Sequence, residues 1–104
     1  MRDAVTPALE TSGLELSDID GIFVGHFNAG FVNQDFTASQ PSLVFPQLRH
    51  VPATRFENAC ATGSAAIWSA LDAVAAGRTK RALVIGVEKM TGLPSADIVA
   101  TLLK

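Results

Sequence analysis

Residues 53–87 carry the pattern that most restricts the fold of this chain. A short segment at about 53–57 leads into an alanine-rich stretch at about 60–76, and a continuous apolar run follows at 82–87. Continuous apolar runs are typical of strands covered on both faces, as in parallel sheets. Gly77 is well placed to end a helix between the two strands. The segment therefore predicts a strand, a helix and a strand joined as one right-handed crossover unit of an α/β protein.

The predicted helix of this unit has two kinds of surface. Gly63 and the alanines near its start keep the first turns slim, which allows close approach by a backbone or a thin substrate arm. An apolar stripe at helical spacing is typical of a face that packs on a core. This stripe consists of Ile67, Leu71, Val74 and Ala75.

A further strand and three helical segments are predicted outside this unit. Gly21–Gly25, an apolar run bounded by glycines, predicts a short buried strand. Apolar spacing or an initial proline indicates helices within residues 3–11, 41–48 and 95–103. Pro7 is compatible only with a first helical turn, so the first helix is expected to be short or to begin near it. Gly13 is a plausible stop for this helix.

Residues 26–40 show no period and predict a long loop with aromatic anchors. Long irregular segments in compact domains are usually functional or contact another chain. No basic residues interleave with the aromatic ones, so a core or an interface is favoured over a base-stacking platform. The aromatic and polar side chains concerned are Phe27, Phe31, Phe36, Asn28, Asn33 and Gln34.

Composition excludes several classes of protein. The 104 residues are 48% hydrophobic and 17% charged, which fits one small folded domain or a piece of a larger one. A net charge of −2 without any Lys/Arg cluster argues against a nucleic-acid or acidic-membrane surface. No window approaches the roughly 18 apolar residues of a membrane span. The single cysteine excludes an internal disulfide and fits a reducing compartment, so a cytoplasmic protein is expected.

Cys60 is the candidate nucleophile, because it lies where the predicted strand turns into the helix. Sites in open parallel sheets form beyond the carboxyl ends of the strands. At a helix start, unpaired N–H groups and the helix dipole stabilise a thiolate and raise its reactive fraction. The same amides, including that of Cys60, are positioned to donate to an oxyanion. This combination indicates acyl transfer through a thioester.

The residues leave other interpretations open. A lone cysteine in an apolar chain is often a buried, inert hydrophobe. A cysteine nucleophile usually needs a base, and the candidates are His26, which follows a predicted strand, and His50. Loop histidines are more often solvated or structural. Glu57 is either a partner of Arg55 or a group near the site, and a salt bridge with Arg55 at the strand edge is the favoured interpretation. The spacing of the histidines and the cysteine gives no zinc signature, and no phosphate-binding loop occurs.

Three segments resemble thiolases, especially the acetyl-CoA acetyltransferase branch near the sterol-carrier-type thiolases. Val-Pro-Ala-Thr-Arg-Phe-Glu-Asn-Ala-Cys-Ala-Thr-Gly-Ser-Ala-Ala at 51–66 is similar to the thiolase nucleophile segment. Ala-Leu-Val-Ile-Gly-Val-Glu-Lys-Met-Thr at 82–91 is similar to a thiolase strand and its following turn, and 18–25 to the preceding strand. The resemblance implies a partial thiolase-like fold over residues 1–104: a mixed, mostly parallel sheet with helices packed on it.

The resemblance also implies a function. Cys60 is expected to take an acyl group from acyl-CoA, with its N–H as half of one oxyanion hole. Acyl-CoA and CoA are the expected substrates, and no other cofactor is implied. A homodimer or larger homo-oligomer in lipid metabolism is expected of the intact protein. The acid/base groups of thiolases lie in their later half and have no match here, so this chain is expected to be an incomplete, inactive N-terminal segment.

Two alternatives to a thiolase remain at the level of the sequence. An isolated Ala-Cys-Ala-Thr-Gly is also similar to the ketoacyl synthases, condensing enzymes that act on carrier-protein substrates. A non-catalytic remnant that serves as a dimerisation or interaction module is the third possibility. The strand at 53–57 would then contribute to the dimer contact.

Overall fold

A computed structural model describes residues 1–27, 29–31 and 35–103. It contains the helices α1 Arg2–Ser12, α2 Gln40–Val44, α3 Thr62–Ala75 and α4 Ser95–Leu102, and the strands β1 Gly21–Gly25, β2 Ala53–Phe56 and β3 Ala82–Gly86. Single 3₁₀ turns occur at Leu16–Asp18, Ala29–Phe31, Thr37–Ser39, Pro46–Leu48 and Ala59–Ala61. Of the side chains predicted to line the loop at 26–40, Asn28, Asn33 and Gln34 lie outside the described residues.

The strands form one sheet with the order β2-β1-β3. β1 pairs in parallel with β2 from Ile22↔Ala53 to Gly25↔Phe56, and with β3 from Gly21↔Ala82 to Gly25↔Gly86. The predicted α/β class is confirmed. Within the described residues the sheet is wholly parallel, where a mixed, mostly parallel sheet was predicted. Its three carboxyl ends therefore lie at one edge.

One face of the sheet carries the main hydrophobic core. Because successive residues of a strand alternate between its two faces, the side chains of Ile22 and Val24 point to one face, and Gly21 and Gly25 belong to the other. The buried cluster on the first face comprises Ile22, Val24, Leu83 and Ile85 of the sheet with Val5, Ile19, Phe45 and Leu48. Burying one such aliphatic side chain contributes about 1.5–3 kcal/mol. This cluster fixes α1 and the segment around α2 against the sheet.

The opposite face is covered by α3, and here the predicted packing face is wrong. α3 buries Thr62, Ala66 and Ala70, while Leu71 is 54% and Trp68 66% exposed. The predicted stripe, Ile67, Leu71, Val74 and Ala75, lies on the exposed side. Close approach is the reason. A Cβ on Gly25 would stand 3.2 Å from the carbonyl oxygen of Thr62, so only small side chains fit between helix and strand.

Helix α1 continues through Pro7, although a proline was expected only in its first turn. α1 spans Arg2–Ser12 and holds Pro7 in its second turn. Pro7 and Asp3 are both exposed, so the carbonyl that loses its N–H partner can bond to water. On the other side, the buried Val5 anchors the helix in the core. Gly13, at φ 71°, ends the helix as predicted.

The connection between α3 and β3 is closed by two local devices. Gly77 adopts φ 75°, and the N–H groups of Gly77 and Arg78 donate to Val74 and Ala73, which is a Schellman cap. The Asp20 carboxylate accepts hydrogen bonds from the N–H groups of Lys80 and Arg81 at 2.9–3.1 Å. These bonds hold the pKa of Asp20 below its ordinary value of 3.8, and the bond from the Lys80 N–H has the largest effect. The start of β1 is thereby tied to the start of β3.

Among the described residues, no helix has both the length and the apolar character needed to cross a lipid bilayer.

The first prediction concerns Gly21. A Cβ at this position would lie 2.7 Å from Oγ1 and 2.9 Å from Cγ2 of the buried Thr79. Gly21→Ala should therefore lower the free energy of unfolding by about 1–3 kcal/mol in urea denaturation. Gly86→Ala is the matched control in the neighbouring strand, since a Cβ there meets no atom within 4 Å. Equal stabilities of the two variants would contradict the close contact.

The second prediction concerns the pH dependence of stability. The folded-state pKa of Asp20 is lowered, so its carboxylate stabilises the fold fully above the ordinary pKa. That stabilisation is lost as the pH falls through the folded-state pKa. Asp20→Asn should destabilise the chain at neutral pH, and its difference from wild type should shrink below about pH 4 in unfolding titrations. Glu10→Gln, an exposed change on α1, should show a smaller pH-dependent difference; a pH-independent effect of Asp20→Asn would refute the assignment.

Candidate active site

Cys60 follows β2 at the carboxyl edge of the sheet, and it is exposed as a free thiol. This exposure contradicts the alternative of a buried, inert cysteine. Cys60 lies in the 3₁₀ turn Ala59–Ala61, and α3 begins only at Thr62. The helix was predicted from about residue 60, so its regular part starts slightly later. The thiol nevertheless lies beside the first turn of α3, where the helix dipole is positive.

The backbone bends sharply just before the cysteine. Ala59 has φ 44°, a positive value that costs an alanine on the order of 1 kcal/mol. Strained residues of this kind are concentrated at functional sites. The bend lets the chain leave β2 and enter α3 within residues 57–61, which places Cys60 at the outside of the turn.

Two side chains hold this bend. The Glu57 carboxylate accepts a hydrogen bond from the Ala59 N–H at 2.7 Å. The buried Thr62 hydroxyl donates to the Ala59 carbonyl at 2.6 Å and accepts from the Asn58 N–H at 2.9 Å. Together these bonds offset the cost of the positive φ. Thr62 was not singled out from the sequence, although a hydroxyl two residues after the cysteine was the available signal.

The turn leaves a backbone donor beside the thiol. The Ala61 N–H is used by the Asn58 carbonyl at 2.8 Å, whereas no acceptor within the described part of the chain takes the Cys60 N–H. A Cβ on Gly63 would meet no atom within 4 Å apart from the backbone of its own helix, so the space beside the turn is open. A thioester carbonyl that reached the thiol would therefore find a hydrogen-bond donor close to its oxygen.

The structure does not arrange His26 as a base for Cys60. His26 is buried, its Nδ1 lies 2.7 Å from the Thr37 hydroxyl, and its Nε2 lies 3.5 Å from the Glu88 carboxylate. A carboxylate beside Nε2 favours the proton on that nitrogen, so Nδ1 accepts from Thr37. Both ring nitrogens are thus occupied by structural partners that lie far along the chain.

The structure also does not place His50 as a base, and it does not form the expected Arg55–Glu57 salt bridge. His50 is exposed, and its Nε2 faces the Nε of its neighbour Arg49 at 3.2 Å. Arg55 donates from Nε to the His26 carbonyl and from Nη2 to the Phe27 carbonyl, both at 3.0 Å. The predicted pairing of Arg55 with Glu57 is wrong, because each side chain finds backbone partners instead.

No metal centre is formed by the part of the chain that the structure describes: no three His, Cys, Asp or Glu side chains come together there.

These features define a class: an α/β protein with an exposed cysteine on a strained strand-to-helix turn at the carboxyl edge of a parallel sheet. Comparison with known families agrees with this class. The family model described as the N-terminal domain of thiolase matches residues 1–102. The chain belongs to the thiolase family, as its N-terminal domain, and the predicted resemblance is confirmed.

Curated relatives support the same branch. The chain is 42% identical over 95 residues to an acetyl-CoA acetyltransferase of Methanocaldococcus jannaschii, covering 90% of this chain and 24% of that protein. It is 39% identical over 97 residues to the protein of that name from Methanothermobacter thermautotrophicus, covering 86% and 24%. The chain therefore spans about a quarter of the length of the curated relatives it matches.

The third prediction tests the Thr62 hydroxyl. Thr62→Val keeps the shape of the side chain but leaves the Asn58 N–H and the Ala59 carbonyl without their partner. Its free energy of unfolding should fall by about 1–3 kcal/mol. Thr62→Ser retains the hydroxyl and should keep most of the stability. Urea denaturation compares the two variants, and a valine variant as stable as the serine variant would show that these bonds do not hold the turn.

Proposed function

We propose that this chain carries the nucleophile segment of a thiolase-type acyltransferase, in which acyl groups pass between acyl-CoA and CoA or acetyl-CoA through a Cys60 acyl-enzyme. One observation carries the proposal: the exposed thiol of Cys60 on its strained turn, in a chain that belongs to the thiolase N-terminal family. The relatives named acetyl-CoA acetyltransferase support CoA thioesters as the substrate class.

The geometry of the turn supports the first half-reaction of this proposal. The Cys60 thiolate attacks the thioester carbonyl carbon, and the developing oxyanion accepts a hydrogen bond from the Cys60 N–H. Collapse of this intermediate breaks the bond to the CoA sulfur. The Cys60 thiol releases its proton to solvent on ionising; CoA leaves as a thiolate and takes up a proton from solvent, and the acyl group stays on Cys60 as a thioester.

Efficient proton transfer in both half-reactions needs groups that this segment does not position. Both nitrogens of His26 are engaged, and His50 faces Arg49. We therefore place the acid/base groups outside this segment. The curated relatives are about four times as long as the stretch that matches this chain. The exposed apolar side of α3, with Ile67 51% and Trp68 66% exposed, supports further chain covering that side.

The intact protein is proposed to be a cytoplasmic homodimer or larger homo-oligomer of lipid metabolism. The free thiol supports a reducing compartment. In the described sheet, β2 pairs only with β1, so its outer edge is open to a partner strand. Sedimentation analysis of the longer protein tests this assembly.

The fourth prediction separates acylation from turnover. Incubated with acetyl-CoA, the chain should gain one acetyl group on Cys60, detected by peptide mass spectrometry and removed by hydroxylamine. Cys60→Ala should gain none at that site. With acetoacetyl-CoA and CoA, the 104-residue chain should show no turnover, because both half-reactions lack the acid/base groups that repeated turnover needs.

Each arm of this experiment has its own contrary outcome. Equal acetylation of wild type and Cys60→Ala would refute Cys60 as the nucleophile. Turnover that depends on Cys60 would instead show that this segment supplies its own acid/base group. It would refute both the hypothesis of a non-catalytic remnant and the hypothesis of an incomplete active site.

A further inference from the structure

One short backbone segment at the carboxyl edge of the sheet is hydrogen-bonded by two side chains of opposite charge, one from β2 and one from just after β3. Residues His26 and Phe27 follow β1, and we call them the 26–27 segment. From the β2 side, the Arg55 guanidinium donates to both carbonyls of the segment at 3.0 Å. From the β3 side, the Glu88 carboxylate accepts from the Phe27 N–H at 2.9 Å and faces the His26 ring at 3.5 Å.

The arrangement polarises the segment in one direction. A cation lies at its carbonyl oxygens and an anion lies at its amide hydrogen, so each hydrogen bond is charge-assisted. Hydrogen bonds in such a chain strengthen one another. The buried Thr37 hydroxyl completes the set from the loop side at His26 Nδ1. The segment is therefore held on three sides, which a plain strand end does not require.

This segment is also the support of the Cys60 turn. Gly25, the residue before it, leaves the space that Thr62 uses: a Cβ there would stand 3.2 Å from the Thr62 carbonyl oxygen, and the Thr62 hydroxyl holds the Ala59 carbonyl. The His26 N–H bonds to the Phe56 carbonyl at 3.1 Å, the last backbone bond before β2 ends. Both supports of the turn, the end of β2 and the start of α3, thus rest on the end of β1.

β2 is a short strand at the edge of the described sheet. It spans only Ala53–Phe56, pairs there on one side, and exposes Thr54 and Arg55. Its last residue, Phe56, stacks on Phe23 of β1 with the ring centroids 5.9 Å apart. The fork of Arg55 adds a second anchor one residue before the strand ends.

We propose that Arg55 and Glu88 are positioning residues for Cys60: through the 26–27 segment they lock the exit of β2 onto β1 and so set the geometry of the nucleophile turn. The proposal rests on the proposed function for the role of Cys60. It assigns these two side chains no contact with the substrate.

The fifth prediction uses two local readouts on the full chain. In Arg55→Ala and Glu88→Ala, hydrogen exchange of the Ala61 amide should accelerate at least about fivefold, while the amides of α1 stay within about twofold. Alkylation of Cys60 by iodoacetamide at neutral pH should also change by at least about threefold, because a displaced turn alters the surroundings of this exposed thiol. Arg49→Ala is the matched control: an exposed arginine whose Nε faces only a neighbouring side chain.

Conservative variants test the mechanism and guard against unfolding. Arg55→Lys keeps the charge but loses the fork to two carbonyls, so it should restore only part of the effect. Glu88→Gln keeps an acceptor for the Phe27 N–H and should disturb the turn less than Glu88→Ala. If the alanine variants do not fold, the same two readouts on these conservative variants decide.

The outcomes are distinct from those of the acylation experiment. Rates in the Arg55 and Glu88 variants that match Arg49→Ala would overturn the positioning role. Acceleration of exchange shared equally by the turn and by α1 would also overturn it, since the residues would then stabilise the fold as a whole. Failure of Cys60 acylation in the wild-type chain, with the effects on exchange and alkylation intact, would refute the proposed function and leave the positioning role of Arg55 and Glu88 supported.

Discussion

The close contact between α3 and β1 governs the rest of this structure. Gly25 has no side chain, and the backbone of Thr62 lies where its Cβ would need space. The helix can approach this closely only with small residues, and it buries Ala66 and Ala70 against the sheet. The chain must then pass from β2 to α3 within residues 57–61. Ala59 takes a positive φ to achieve this, and Cys60 is left exposed at the carboxyl edge.

The same contact decides where the large apolar side chains of α3 lie. Because α3 packs its small residues against the sheet, its larger ones, such as Leu71 and Trp68, lie on the opposite, exposed side. Leaving apolar area in water forgoes about 25 cal/mol for each Å². The first face of the sheet, with its cluster around Val24 and Leu48, carries most of the hydrophobic stabilisation of this segment. The second face serves mainly to position the turn.

Much of the fold was predictable, because buried parallel strands leave continuous apolar runs and helix ends leave glycines. β1 was predicted with the observed bounds, and β2 to within one residue. Cys60 was identified as the candidate nucleophile from its position between a strand and a helix. The packing face of α3 was not predictable from the helix alone, since it depends on Gly25, a residue in another element. Arg55 was misassigned for a similar reason: its acceptors lie 28 and 29 residues away, while Glu57 lies close by in sequence.

The polar groups at the carboxyl edge serve geometry, and this limits what the segment does by itself. His26 follows β1 at the edge where a base would be useful, yet Thr37 and Glu88 occupy its two nitrogens. Glu57 uses one carboxylate oxygen, Oε1, to hold the Ala59 N–H. An imidazole nitrogen has a single site, so once it is engaged in a hydrogen bond it accepts a substrate proton only by breaking that bond, which opposes the transfer. The described hydrogen bonds therefore hold the Cys60 turn in a fixed geometry, and under the proposed function proton transfer requires groups other than the two nitrogens of His26. Under the proposed function, such a division would allow the Cys60 turn to stay rigid while acid/base groups outside the described segment transfer the protons.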